Sequence, residues 1–546
     1  MGRTVGTSST LCGTGSLLLA CSWVMVLIPS LAACPSGSSW PELREQATAA
    51  SSAGRFREAE DRLRTALSCL PDAKGPQALV LMNELGESQE SQDRLSDAEA
   101  TYRQVLKTDL SEPPSEQIAI AWNNLGTIAL RRNQLASAEQ FVRRSYSMLE
   151  QQNGLNSITS GHVLSNLALI LQREGRLAEA EPVYPRALAV ISKLAGENSL
   201  DFAKVLTNCA LFNFDKGNFE AAIETNRKAL AIEERLQVPN SSDLALTRNN
   251  LGLALSEVKR LAEAEPLYYQ ALAVWRTKPE ARLRLAETLS NLSMIEKETG
   301  RTELARQHAT EAINIVGALS DQDPLLAAIS ENMGMVASAE GNWNEAREWY
   351  QRAADIWLKS LGQTHPSYAA ALSNLAGVET KKKHFKAAQE LYGQAYEIDR
   401  NALGPNHPRV AADLSNMAAE KFYLKHLDEA VPLFERSREL LEHSFGPDSR
   451  QVAEAWRNLA LVYWAEKQCP ESELAFAKAI RALEASSNAQ NPVLSTWLQE
   501  YAVVLRTDKQ FALAEQAETR ALGIQVKNTV RPSALQNSIL SGPGKS

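Results

Sequence analysis

The sequence predicts an all-α solenoid of helix hairpins, and three regularities predict it. Asparagine recurs at Asn124, Asn166, Asn208, Asn250, Asn291, Asn332, Asn374, Asn416 and Asn458, always 41 or 42 residues apart, with Glu45, Glu84 and Glu500 at the matching places on either side. Fourteen residues after this marker stands alanine, from Ala59 to Ala514, with Ser472 the single exception; seven residues further on alanine recurs at Ala66, Ala187, Ala229, Ala271, Ala312, Ala353, Ala395, Ala479 and Ala521. Nine residues after the marker come Gly54, Gly175, Gly217, Gly300 and Gly341, with Asp93, Asn133 and five lysines elsewhere. A period of this length marks stacked repeats, not the roughly three or four globular domains that the chain length alone would suggest.

Taken in chain order, the first segment is unlike the rest. From Leu11 to Ala33 there is no charged residue, Arg3 precedes the run, and Leu31-Ala32-Ala33-Cys34 closes it in small residues. This is the pattern of an export signal. The last four residues resemble the bacterial lipobox, in which the cysteine becomes a lipidated N-terminus, so residues 1–33 are expected to be a signal peptide and Cys34 its lipidation site. An ordinary cleaved signal and an uncleaved anchor are the alternatives, since the run is long enough to span a bilayer. Residues 34–40 then form a short tether, 41–525 about twelve repeats, and 526–546, with Pro532, Gly542 and Pro543, a disordered tail.

Within each repeat the glycine, asparagine or aspartate nine places after the marker ends one helix in the left-handed conformation, and a second helix follows. The two alanines lie two helical turns apart and so share a face. Between them stand Tyr102, Tyr184, Tyr268, Tyr350, Tyr392, Phe434 and Phe476, large rings beside small residues that let helices approach. A single hairpin of this kind cannot bury its apolar face alone. Stacking makes the core.

The stretches NNLGLAL (249–255) and LAEAEPLYYQALAV (261–274) carry this pattern nearly complete, and it resembles the tetratricopeptide repeat. The 42-residue period and the loops LGQTHPSYAAALSNLA and LGPNHPRVAADLSNMA are similar, more specifically, to kinesin light chain repeats and their bacterial relatives. The resemblance implies a right-handed superhelical solenoid whose first helices line a concave groove. It also implies that the marker asparagines, Asn124 to Asn458, bind the main chain of an extended peptide there. An amide offers both a donor and an acceptor, which suits a peptide group whatever its side chain. A ladder of amides tying one repeat to the next is the alternative reading of the same residues.

Other chemistry finds no support. The formal net charge of −8 gives no basic footprint, so no nucleic-acid partner is expected. Six scattered cysteines and seven histidines include no CxxC or HExxH spacing, and no metal or cofactor is expected. His365 and His407 each precede a proline and are read as helix-start punctuation. The terminal GPGKS has no following helix to make a phosphate loop. Trp122 and Trp456, two places before the marker where other repeats carry leucine, are read as core; Phe214, Phe422 and Trp464, six places after it, are read as exposed. The expectation is a non-enzymatic scaffold that binds a protein or peptide. It is exported to the cell envelope and held at a membrane as a lipoprotein facing away from the cytoplasm. Glycan or small-ligand capture is the rival reading.

Overall fold

The computed structural model describes residues 38–70, 72–108, 115–236, 241–486 and 492–539, without the side chains of 153, 492 and 527–539. Residues 1–33, expected to be an export signal, Cys34 and the terminal GPGKS lie outside these residues. All twelve repeats are helix hairpins, from Trp40–Ser52 with Phe56–Ser68 to Pro492–Thr507 with Phe511–Ile539. The hairpins fall into two compact bodies, residues 1–197 with repeats 1–4 and residues 198–546 with repeats 5–12. Among the described residues no helix is long and apolar enough to cross a membrane.

The hairpin turn is set by the ninth residue after the marker. It has positive φ in every repeat, from 57° at Asn133 to 79° at Gly300, including Lys259, Lys383, Lys425, Lys467 and Lys509. The next residue's N–H then reaches back five residues to close the turn, as His384 does to the Glu379 carbonyl at 2.9 Å and Arg55 to Ala50 at 2.8 Å. For lysine this conformation costs about 1 kcal/mol that glycine would not incur.

The alanines are the contact between the two helices. Ala59, Ala98, Ala264, Ala346 and their equivalents are 0% exposed. Where serine replaces alanine the hydroxyl is satisfied: Ser472 donates to the Ala460 carbonyl at 2.8 Å, and Ser145 and Ser437 donate to Ala119 and Ala411 at 2.7 Å. The aromatic ring of the second helix presses on the residue two places after the marker. A Cβ added to Gly86 would stand 2.3 Å from the Tyr102 ring, and one on Gly334 2.7 Å from Tyr350. Glycine there is a packing requirement.

Repeat 4 departs from the pattern. Its second helix is broken into Leu177–Ala180 and Val183–Ala195, because Pro182 and Pro185 remove backbone donors and crowd the preceding turn. The segment from 526, expected to be a disordered tail, is corrected as far as Ile539: it continues the last helix through Pro532. No glycine between Gly523 and Pro532 stops that helix.

Between repeats, two kinds of cross-link run along the stack. On the turn edge, side chains on successive hairpins form ion pairs, as in Glu60–Arg94 at 2.7 Å, Glu139–Arg176 at 2.9 Å, Glu265–Arg301 at 2.7 Å and, with polarity reversed, Arg347–Glu379 at 2.7 Å. The second kind runs along the first helices.

Candidate functional site

Within each body, first helices of successive repeats approach one another directly from repeats 2 to 4 and 5 to 10; among the described residues, consecutive second helices have no comparable approach. The first helices therefore form the inner side of each stack. All nine marker asparagines sit on them, half-buried.

Five of the nine donate to the preceding repeat. Asn166 reaches Asn123 at 2.9 Å, Asn291 reaches Asn249 at 3.4 Å, Asn332 reaches Ser290 at 2.7 Å and Asn458 reaches Ser415 at 3.5 Å. Each acceptor stands one place before the marker of its own repeat, so the four contacts are one rung repeated. Asn124 instead reaches Glu87 at 3.4 Å. At both ends of the array an ion pair takes the same two positions: Arg44 to Glu84 at 2.6 Å, and Arg457 to Glu500 at 2.5 Å. The amide-ladder alternative is thus realised at part of the array.

Asn250, Asn374 and Asn416 differ. Among the described residues their amides have no hydrogen-bond partner, and none of their atoms is counted among the buried unpaired ones, so they reach solvent. In each case the acceptor in the preceding repeat is engaged elsewhere. Before Asn250, the Thr207 hydroxyl is bonded to Thr247 at 3.0 Å, and Thr247 donates to the buried Glu233 at 3.2 Å. Before Asn374 the place is occupied by Glu331, which accepts from the Trp357 indole N–H at 2.7 Å. Before Asn416, Ser373 donates to the buried Asp413 at 3.2 Å.

The acids at these joints are unusual in their electrostatics. Burial pushes Glu233, Glu331 and Asp413 each up to about 7, the nearby Asp399 carboxyl adding to the effect on Asp413. Asp399 is also raised by burial, against the pull of Arg409, whose guanidinium donates to it at 3.0 Å. Asp399 and Asp413 are 2% and 6% exposed, lie near enough to affect each other's titration, and each retains an oxygen without a hydrogen-bond partner. Two carboxyls share one guanidinium, so a proton on one of them balances the charge.

His365 and His407 are helix caps. Their Nδ1 atoms accept from the Ser367 and Arg409 backbone N–H groups, both at 3.1 Å, and burial, followed by Arg409, lowers both below the usual histidine range. Trp122 and Trp456 pack against the core, as expected, but neither is fully buried. The indole is too large for the leucine position, and its protruding face is covered by Arg144 at 4.5 Å in one case and by Lys478 at 4.1 Å and Arg438 at 4.7 Å in the other. Phe214 and Phe422 are corrected, since they pack partly buried against the core, Phe214 edge-on to Phe219; Trp464 alone of the three is exposed, at 38%. An open polar cleft lined by Asn344, Arg347, Glu379, Lys382 and His384 lies on the turn edge and belongs to the ion-pair row there.

These features define a helical-repeat solenoid with a polar inner face. The tetratricopeptide repeat profile matches residues 159–235, 243–317, 325–401 and 414–485, and a second profile of the same repeat matches 83–153. The chain belongs to the tetratricopeptide repeat family. Among solved structures it is similar to BtubC (BKLC) from P. vanneervenii, at 23% identity over 42% of this chain and 92% of that one, with a TM-score of 0.35. It is similar to a Podosopora anserina kinesin light chain protein with nearly identical TPR-like repeats, at 22% identity over 37% and 95%, with a TM-score of 0.32. The Rap protein complexed with Competence and Sporulation Factor aligns over 68% of this chain and 98% of its own, at 17% identity and a TM-score of 0.52, a likeness of fold. No curated protein matches the sequence.

Proposed function

We propose that the chain is a non-enzymatic interaction scaffold. It binds an extended segment of a protein or peptide along the first helices, with Asn374 and Asn416 reading main-chain groups and Asn250 a separate contact. The observation that carries this reading is that these three amides, unlike those of Asn124, Asn166, Asn291, Asn332 and Asn458, have no hydrogen-bond partner among the described residues and are open to solvent. An amide that serves the fold is bonded; one kept half-buried and unbonded has its donor and acceptor available to a ligand. A Rap protein of similar fold has been crystallised with a bound factor, which is consistent with a scaffold of this architecture holding a ligand. The export signal and lipobox sequence support an envelope location, with Cys34 carrying the membrane anchor.

The test uses peptides selected from a random display library on the full chain. Asn374→Ala with Asn416→Ala is expected to weaken the selected peptides at least about tenfold, the equivalent of one or two lost hydrogen bonds, while the melting temperature does not fall. Unchanged affinity in the double variant overturns the assignment, and binding of polysaccharide alone favours glycan capture. For the anchor, Cys34→Ser is expected to move the protein from the detergent phase to the aqueous phase; unchanged partitioning removes the lipoprotein reading.

A further inference from the structure

We infer that Glu233, Glu331 and Asp413 are positioning residues that decide where along the stack an asparagine amide is presented to a partner. The inference rests on the reading of the inner face as a binding surface, but its central test does not need a partner.

Within the body of repeats 5–12, three places can be compared at each joint: the residue before one marker, a residue near the end of the same repeat's second helix, and the residue three places before the next marker. At the 7/8 joint these are Ser290, Val316 and Ile329; the serine has no polar neighbour in this set and captures Asn332. At the 10/11 joint they are Ser415, Leu441 and Ala455, and the serine captures Asn458. At the 9/10 joint they are Ser373, Asp399 and Asp413. The serine there has turned to the acid, and Asn416 is free. The same exchange occurs at the 5/6 joint, where Glu233 and Thr247 hold Thr207. At the 8/9 joint the acid itself, Glu331, takes the serine's place and is held by Trp357. The three joints with an acid in this set, buried at Glu233 and Asp413 and half-buried at Glu331, have a free marker, whereas the 6/7, 7/8 and 10/11 joints, which lack one, have a bonded marker.

A competition of this kind has a direct physical basis. In a rung the serine oxygen accepts from the marker amide, whereas a serine that donates its one proton to a buried carboxyl has its hydroxyl rotor turned to that acid and its lone pairs aimed elsewhere. Once the hydroxyl is turned toward the acid, the marker amide has lost its fixed rung partner and faces the groove. The acid need never touch a ligand to set the position of the amide that does.

The test is a crystal structure of Asp413→Ala. Alanine already stands at this position in repeats 3, 9 and 11, as Ala121, Ala371 and Ala455, and Asp399 keeps Arg409, so the variant loses neither packing nor charge balance. Ser373 is then free, and the Asn416 amide is expected to come within about 3 Å of its hydroxyl. Glu331→Ser is the second variant, giving Asn374 the acceptor that Ser290 gives Asn332. Asparagines that stay unpaired in both variants overturn the inference. With a selected peptide as probe, Asp413→Ala is expected to reduce affinity several-fold and Asp413→Ala with Ser373→Ala to restore it, because the restored variant has no rung to make. Absence of that rescue, with Asn416 seen on Ser373, also counts against the positioning role.

Discussion

The 7/8 and 9/10 joints have the same asparagine at the same place on the same helix, preceded in the earlier repeat by the same serine, yet they use it differently. In the first, Asn332 ties two repeats together through Ser290; in the second, Asn416 is unbonded and Ser373 serves Asp413. The side chain's identity does not determine its role. What determines it is a third residue on another helix, and a repeat protein can therefore vary its binding face without altering the face itself.

The largest expected separation between the two kinds of joint is in pH dependence. Glu233, Glu331 and Asp413 titrate near 7 in the folded chain, against about 4 when unfolded. Between those values the folded state holds protons that the unfolded state has released, so the stability these three groups contribute is fully present below about pH 4 and is lost as pH rises through 7. The limit for one such carboxyl is on the order of 4 kcal/mol. Urea unfolding of the body containing repeats 5–12 is expected to shift to lower midpoint from pH 5 to pH 8. Hydrogen exchange is expected to localise the loss to the 5/6, 8/9 and 9/10 joints, leaving 6/7 and 7/8 unchanged. A uniform change along the stack would erase the distinction.

An intermediate effect is expected at the ends, where the rung is an ion pair. Arg457 and Glu500 are each 27% exposed, and Arg457 also lies 5.8 Å from the Trp497 ring. Arg457→Ala strands a partly desolvated carboxylate and is expected to cost about 1–2 kcal/mol, below the range for fully buried pairs because water still reaches Glu500. Adding Glu500→Ala should recover part of that loss. A double-mutant cycle on melting temperature measures it, and strict additivity would mean that the terminal rung contributes nothing.

The repeat was legible in the sequence because each feature that builds it is local: the turn residue, the alanines and the ring all recur at fixed distances within 21 residues of the marker. The marker's position on the inner helices was legible for the same reason. Its partner was not. Whether Asn416 is free depends on Ser373, 43 residues earlier, and on Asp413, whose acidity is out of place at a position that repeats 2 to 12 otherwise fill with apolar residues or threonine. That misplaced charge was the available signal, as was Glu331 in a row of amides and hydroxyls. Periodicity places Trp122 and Trp456 against the core but gives position and not volume, so their incomplete burial is not legible from it. The helix through Pro532 was misread because one proline does not end a helix when nothing else in the segment does.

The smallest expected effect is the sharpest, because its sign differs between two neighbouring repeats. Asn332→Ala removes a 2.7 Å bond to Ser290, a net loss of about 1 kcal/mol. Against this, alanine is the better helix former by roughly 0.6 kcal/mol. The balance is a few tenths of a kcal/mol of destabilisation. Asn374→Ala removes no bond among the described residues, so only the propensity term is left and the variant should be more stable than the parent by about half a kcal/mol. Both residues are half-buried at the same position of central first helices, so end effects and burial do not separate them; the rung does. The measurement is the urea midpoint of the two single variants at one pH, with Ser290→Ala added to each. Ser290→Ala should abolish the penalty of Asn332→Ala and leave the gain of Asn374→Ala untouched. If both asparagines give the same sign, the rung at 7/8 contributes nothing and Asn374 has no claim to be different.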